Sequence, residues 1–205
     1  MEKAILNNKN IPHLNGLVLA GGKSSRMGKP KDQINWNGKE QKYFAADLLQ
    51  AFCKEVFISS RHDQTFENEE YKFISDTFLG MGPLGGILSA LRSDREKAWL
   101  VIACDLPLLN KQTLDFLIQN RDASKLATTF KSPFDGLPEP LITIWEPNSY
   151  PKLLEFLGKG MTCPRKVLIN NDVRIIDSPF PEALMNVNTP QEASEAAEIL
   201  KSIKK

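Results

Sequence analysis

The segment Ala98–Pro107 reads AWLVIACDLP, and its first seven residues are apolar without a break. A continuous apolar run of this length is typical of a strand covered on both faces, as in parallel sheets. Asp105, which follows it, is therefore expected at the carboxyl edge of the sheet. Ligands of open α/β sheets bind outside that edge, so Asp105 is the first candidate functional residue.

The rest of the chain alternates short apolar runs with amphipathic stretches. Strands are predicted over 16–20, 56–59, 71–75, 126–130, 141–145 and 173–176. Helices are predicted over 40–52, 85–91, 111–120, 149–157 and 164–169, with a last one after Thr189-Pro190. This order predicts an α/β fold: a single Rossmann-like domain whose mostly parallel sheet carries helices on both faces. The strands at 126–130 and 141–145 are expected to extend that sheet as an insertion.

Length and charge narrow the classes of protein that the chain can represent. We expect a polar leader over residues 1–15 and one domain over residues 16–205. The 26 basic residues are balanced by 25 acidic ones, so the net charge does not favour a nucleic acid or a membrane surface as partner. The sequence has no run of 18 apolar residues, no signal-peptide pattern and no zinc-type cysteine spacing, which together predict a cytoplasmic protein.

A glycine-rich loop follows the first predicted strand, over residues 19–31, LAGGKSSRMGKPK. Glycines allow successive backbone N–H groups to approach a phosphate closely, and Arg26 and Lys31 add positive charge. The loop is not a Walker A motif, because Pro30 stands where that motif needs a hydroxyl, and the dinucleotide pattern G-x-G-x-x-G is absent as well. The alternative interpretation is a solvated turn with ordinary surface cations.

The position of Asp105 suits a metal-binding role. Carboxylates are rarely buried without a partner, and a divalent cation is one such partner. The other interpretation is a turn or capping aspartate before Pro107. Because the glycine-rich loop is predicted at the same edge, the two features together favour Mg²⁺-assisted transfer from a nucleoside triphosphate.

Two further polar motifs follow predicted strands or open predicted helices. Asp76 ends the strand at 71–75, where its carboxylate can accept paired hydrogen bonds from the N1–H and N2–H₂ groups of guanine; a plain turn is the alternative. Asn186 and Asn188 point to one face if their segment is extended, and they offer amides to a polar ligand. Thr189 is expected to cap the helix that Pro190 begins.

Three charged residues in the second half of the chain have two interpretations each. Glu139 lies in Pro-Glu-Pro, which places it either near a substrate or in a stiff loop. Arg165 and Lys166 begin a short predicted helix and are either phosphate ligands or ordinary surface cations.

With these residues in view, the chain resembles the molybdenum cofactor guanylyltransferase family of nucleotidyltransferases. The resemblance rests on LAGGxSxRMGxxK at 19–31, Asp76, GPLxG at 82–86, CDLP at 104–107 and NVNTP at 186–190. It extends over nearly the whole chain from Gly16 onward. The loop signature alone is shared with relatives that transfer other nucleotides, whereas its combination with the turn and NVNTP is more specific.

The resemblance implies an activity and a set of site residues. The family joins GMP from GTP to the terminal phosphate of molybdopterin, with Mg²⁺, and releases pyrophosphate. Transfer to molybdenum-molybdopterin forms the guanine dinucleotide cofactor. The implied catalytic residues are Arg26, Lys31 and Asp105, and Asp105 is the implied metal ligand. The implied binding residues are Leu19, Ala20, Gly21, Gly22, Lys31, Ser59, Asp76, Gly82 and Asp105 for the nucleotide, with Asn186 and Asn188 for molybdopterin.

The chain departs from the family pattern at two positions. Pro30 stands where the family usually has an aspartate, and Ser59 stands where it has an asparagine near the end of the second strand. Transient contact with molybdenum-insertion proteins and molybdoenzymes is expected. A transferase that uses CTP or a sugar-phosphate acceptor, and a non-catalytic nucleotide-binding module, remain the alternatives.

Overall fold

A computed structural model describes residues 12–20, 34–36, 38–61 and 70–203. Seven strands lie in one sheet: β1 (Leu14–Leu19), β2 (Val56–Ser60), β3 (Lys72–Ser75), β4 (Ala98–Ala103), β5 (Ala127–Lys131), β6 (Pro138–Trp145) and β7 (Arg174–Ile176). The helices are α1 (Gln41–Gln50), α2 (Pro83–Ser93), α3 (Lys111–Gln119), α4 (Ser149–Gly158), α5 (Pro164–Ile169) and α6 (Pro190–Ile203). A short 3-10 helix spans Pro181–Leu184. The predicted order of elements is confirmed, and β1 begins at Leu14, two residues earlier than predicted.

The strand order is β3-β2-β1-β4-β6-β5-β7. The first four strands of this order are parallel, as predicted. β6 is antiparallel to both of its neighbours, β4 and β5, whereas β7 pairs with β5 in parallel. The predicted insertion therefore extends the sheet. It leaves the carboxyl ends of β5 and β7 and the start of β6 at the same edge as the carboxyl end of β4.

Helices cover both faces of the sheet. One apolar cluster joins α1 and α3 to residues such as Val18, Ile58 and Ile102. The other joins α2, α4 and α5 to residues such as Leu17 and Val101, and that side is called the α2 face below. All six residues of β4 are buried, which explains why its sequence shows no alternation of apolar and polar residues.

Two helix starts contain local signals that the sequence also carries. Gly82 precedes α2 with a φ of +56°, a backbone conformation that glycine adopts without strain. At α6, the N–H of Glu192 donates to Thr189 Oγ1, and Glu192 Oε2 accepts from the N–H groups of Asn188 and Thr189. This is a reciprocal capping box, so the predicted cap at Thr189 is confirmed.

Candidate functional site

Strand alternation places Ser59 and Asp76 on one face of the carboxyl edge. Leu19, Phe57 and Ile74 pack into the cluster on the α2 face. Two residues further along their strands, Ser59 and Asp76 have the same orientation. On β4 and β6, Val101 and Trp145 belong to that same cluster, and Asp105 follows the end of β4 at the edge where β6 begins with Glu139. The sheet therefore brings together polar residues that are as much as 80 positions apart in the sequence.

Ser59 and Asp76 form the core of one half of the site. The Ser59 hydroxyl donates to Asp76 Oδ1 over 3.0 Å. Burial raises the pKa of Asp76 above its ordinary value, and the hydrogen bond from Ser59 opposes that rise. The aspartate thus keeps carboxylate oxygens at the sheet edge, half-buried, where they can accept hydrogen bonds.

The first turns of α2 lie directly against this pair. A Cβ added to Gly86 would be 2.6 Å from Leu19 Cδ2, 3.1 Å from Ser59 Oγ and 3.4 Å from Asp76 Oδ1. Only a residue without a side chain allows the helix to approach so closely. The glycines of the 82–86 motif therefore let α2 pack against the end of β1 and against the Ser59–Asp76 pair.

Asp105 lies on the other side of β1 from Asp76. The ends of β3 and β4 are three inter-strand steps, or about 14 Å, apart. Asp105 Oδ1 is buried. The Asp105 carbonyl accepts a hydrogen bond from the N–H of Val187 over 2.9 Å, which places Asn186 and Asn188 beside the metal candidate.

Glu139 and Arg165 complete this edge on the β6 side. Glu139 is 4% exposed, and Arg165 Nη2 lies 3.3 and 3.2 Å from its two carboxylate oxygens. Burial raises the pKa of Glu139, the guanidinium of Arg165 opposes this, and the charges of Asp135 and Asp105 add to the rise. The start of β6 lies at the same edge as the end of β4, so Glu139 is on the Asp105 side of the site.

These features describe a polar edge of the sheet with the Ser59–Asp76 pair at one end and Asp105, Glu139 and Arg165 at the other. The comparisons with known proteins agree. Residues 16–174 match the family described as the MobA-like NTP transferase domain. The chain belongs to this family.

Two curated relatives illustrate the similarity. The chain is 35% identical over 181 residues to a molybdenum cofactor biosynthesis bifunctional protein from Synechocystis; the match covers 87% of this chain and 52% of that protein. It is 28% identical to a molybdenum cofactor guanylyltransferase from Shewanella putrefaciens, over 90% of this chain and 96% of the relative. The chain thus spans about half of the bifunctional protein and nearly all of the second relative.

A solved structure shows the same fold. The crystal structure of molybdopterin-guanine dinucleotide biosynthesis protein A from Archaeoglobus fulgidus superposes with a TM-score of 0.77. It is 24% identical and covers 92% of this chain and 99% of its own. The predicted fold class is therefore confirmed.

The structure locates some of the sequence-predicted site residues and not others. Eight of them lie at or near the carboxyl edge of the sheet: Leu19, Ala20, Ser59, Asp76, Gly82, Asp105, Asn186 and Asn188. Gly21, Gly22, Arg26 and Lys31 lie outside the described residues, so their assignments stay predictions.

Sequence reasoning left Glu139 and Arg165 undecided because their partnership depends on the fold. Position 139 is far from Asp105 in sequence, and only the antiparallel pairing of β6 with β4 brings the two together. The proline on either side of Glu139 was the one available signal for a rigidly held carboxylate.

Proposed function

We propose that this chain transfers GMP from GTP to the phosphate of molybdopterin, which forms the guanine dinucleotide cofactor and releases pyrophosphate. The observation that carries the proposal is the Ser59–Asp76 pair beside Leu19. A carboxylate has two acceptor oxygens, which match the two neighbouring donors of guanine, N1–H and N2–H₂. Cytosine offers a single donor group, its N4 amine, and is a poorer match for the same carboxylate.

The proposed phosphate contacts come from the loop at 19–31. Its backbone N–H groups, with Arg26 and Lys31, would neutralise the triphosphate and orient it toward Asp105. Lys31 and Arg26 need only bind the triphosphate and hold it in position, because transfer to phosphorus depends mainly on alignment and electrostatic stabilisation.

Asp105 fits the role of a magnesium ligand. Mg²⁺ in nucleotide sites is commonly held by one or two carboxylates, with substrate phosphates and water completing its coordination. Asp105 supplies such a carboxylate, with Oδ1 buried at the sheet edge. In the part of the chain that the structure describes, no three His, Cys, Asp or Glu residues are grouped so that they could hold a metal ion by themselves. When bound, the ion would neutralise negative charge on the phosphates.

The proposed reaction needs no general base from the protein. An oxygen of the molybdopterin phosphate forms a bond to the α-phosphorus of GTP. The bond from that phosphorus to the oxygen bridging to the β-phosphate breaks, and pyrophosphate leaves with the bonding electrons. The attacking phosphate is already anionic, so the chain has to hold it in line with the leaving group. Asn186 and Asn188, beside Asp105, are placed to bind the molybdopterin side.

The setting of this reaction is also part of the proposal. None of the described helices is long and apolar enough to cross a membrane. We place the activity in the cytoplasm, with molybdenum-molybdopterin as the acceptor and with transient contacts to proteins that insert molybdenum or receive the cofactor.

Nucleotide selectivity tests the proposed function. Thermal unfolding would be followed with GTP, CTP, ATP and UTP, each with and without Mg²⁺, because a ligand of the native state raises the melting temperature. We expect the largest shift with GTP and Mg²⁺ and the loss of that preference in Asp76→Asn. Asp115→Asn, which removes an exposed carboxylate from α3, is the matched control. A larger shift with CTP would point instead to a cytidylyltransferase.

Turnover tests the metal assignment. Asp105→Ala is expected to abolish pyrophosphate release from GTP, Mg²⁺ and molybdopterin while its melting temperature stays near that of the wild type. Undiminished release in this variant would contradict the role of Asp105. Tight GTP binding by the wild type without any release would favour a non-catalytic nucleotide-binding protein.

A further inference from the structure

Two arginine–glutamate pairs lie at opposite ends of β6, and they differ in character. At the end of β6, Arg121 pairs with Glu146 over 2.6 and 2.8 Å, and the two side chains are 9% and 1% exposed. Arg121 also donates to the Pro12 carbonyl, so all of its described contacts tie the fold together. This pair lies at the edge of the sheet opposite the candidate site.

The pair at the start of β6 lies at the candidate site and is more open. Arg165 Nη2 is more than 3 Å from both oxygens of Glu139, and the arginine side chain is 27% exposed. Its Nη1 donates to Asp135 over 2.6 Å, and Asp135 is 42% exposed. Arg165 is thus held by one buried carboxylate and one exposed carboxylate.

Glu139 is fixed in place by the strands around it. Its carbonyl accepts hydrogen bonds from the hydroxyls of Thr129 and Thr143, each over 2.6 Å, and both threonines are fully buried. The Glu139 backbone therefore has little freedom to move. Its carboxylate in turn gives the guanidinium a defined position at the sheet edge.

The strand order places this arginine on the acceptor side of Asp105. Ile102 of β4 pairs with Ile142 of β6 in antiparallel register. β6 lies next to β4 on the side away from β1, and its start, with Glu139, is at the same edge of the sheet as Asp105. Asp76 lies on the far side of β1, so Arg165 is remote from the proposed base-recognition end.

A cavity further along the same sheet edge offers space for part of a second substrate. It measures about 290 Å³ and lies between the β5–β6 hairpin and the end of β7. Its lining includes Lys131 and Ser132 of the hairpin and Asp177 and Ser178 after β7. These residues continue the same sheet edge from Glu139 outward.

We propose that Arg165 binds the phosphate of the acceptor, that Glu139 is its positioning residue, and that Asp135 is an internal anion which the acceptor phosphate displaces. The proposal rests on the proposed function for the identity of the acceptor. A guanidinium can bind a phosphate with two parallel N–H groups, whereas a lysine presents a point charge. An exposed ion pair contributes little to stability, so the contact with Asp135 is easily exchanged. The buried contact with Glu139 is expected to remain and to keep the guanidinium in place.

Binding measurements on the full chain separate the three roles. In Arg165→Gln, the dissociation constant for molybdopterin, measured by titration calorimetry without GTP, should rise by about tenfold or more, with that for GTP within twofold of the wild type. Glu139→Gln should also raise the dissociation constant for molybdopterin. Asp135→Asn should lower the dissociation constant for molybdopterin several-fold, because the carboxylate that competes with the phosphate for Arg165 is gone. The asparagine keeps an oxygen for the Leu137 N–H, which donates to Asp135 in the native protein.

Kinetics and a control variant distinguish binding from general damage. Loss of acceptor binding should raise KM for molybdopterin while KM for GTP stays the same, whereas a fold defect would change both. Lys159→Gln removes an exposed ion pair with Glu155 on α4 and should change neither constant. If Arg165→Gln lowers the melting temperature, Arg165→Lys carries the test, since it keeps the charge but lacks the second N–H.

The failure of this inference differs from the failure of the proposed function. Methyl phosphate, tested by its stabilisation of the GTP-loaded protein, needs only the phosphate contact and not the whole acceptor. Wild-type protein that is stabilised by methyl phosphate but forms no product from molybdopterin would contradict the proposed function alone. Unchanged molybdopterin and methyl phosphate binding in Arg165→Gln, or no gain in affinity in Asp135→Asn, would overturn the Arg165 proposal.

Discussion

Gly86→Ala should weaken nucleotide binding without unfolding the protein. The added Cβ would be 2.6 Å from Leu19 Cδ2 and 3.1 Å from Ser59 Oγ. Carbon atoms in ordinary contact are about 3.5 to 4.0 Å apart, so the Leu19 methyl group has to move by about 1 Å. That methyl is the free end of a flexible side chain. Ser59 has to move by a smaller amount, and with it the hydrogen bond to Asp76.

The expected magnitudes follow from these contacts. Alanine stabilises a helix interior by about 1 kcal/mol relative to glycine, which offsets the strain at Leu19. The free energy of unfolding should therefore change by less than about 1 kcal/mol. A hydrogen bond to a charged group contributes about 1.5 to 3 kcal/mol, so misplacing Asp76 should raise the dissociation constant for GTP by about 10- to 100-fold.

Urea unfolding and titration calorimetry with GTP measure the two quantities, and two other glycines serve as controls. A Cβ at Gly85 would lie 2.5 Å from the backbone oxygen of Phe78, which cannot move alone, so Gly85→Ala should destabilise the fold by about 1 to 3 kcal/mol. A Cβ at Gly158 meets nothing within 4 Å, so Gly158→Ala should leave GTP binding unchanged. Wild-type GTP affinity in Gly86→Ala would refute the placement of the base at Asp76.

Three further predictions concern acid sensitivity and stability. Burial raises the pKa of Asp76, and the hydrogen bond from Ser59 lowers it, so GTP affinity should fall as the pH drops through that raised pKa. Ser59→Ala should begin to lose GTP affinity at a higher pH, and equal affinity profiles of the two proteins in calorimetry from neutral to acidic pH would contradict this. Arg121→Met should cost about 3 to 5 kcal/mol in urea unfolding, because it leaves Glu146 buried without its partner, and a loss below 1 kcal/mol would refute that reasoning. Thr189→Ala should lower the free energy of unfolding in urea by about 1 kcal/mol, because it removes the side-chain cap of α6. An unchanged unfolding midpoint would mean that the contacts of Glu192 cap the helix without Thr189.

The sequence by itself determined the order of the elements and one half of the site. The unbroken apolar run at 98–104 predicts a central strand because a strand buried on both faces has no polar side to display. Glycines and polar residues at the strand ends predict the ligand edge, since parallel strands end together. Thr189-Pro190 predicts a helix start because capping acts over a few residues. These signals are local, and each can be recognised in the sequence without knowledge of the fold.

Only the tertiary structure decided which distant residues meet. The sequence predicts a strand at 141–145, but the antiparallel pairing of β6 with β4 brings Glu139 to the same sheet edge as Asp105. Likewise, nothing near Arg165 in the sequence shows that it pairs with Glu139 and Asp135, 26 and 30 residues earlier. Strand register and helix packing depend on the burial of the whole core, and a one-residue slip would turn Glu139 to the other face. That dependence is the physical reason why the acceptor half of the site became visible only in the folded chain.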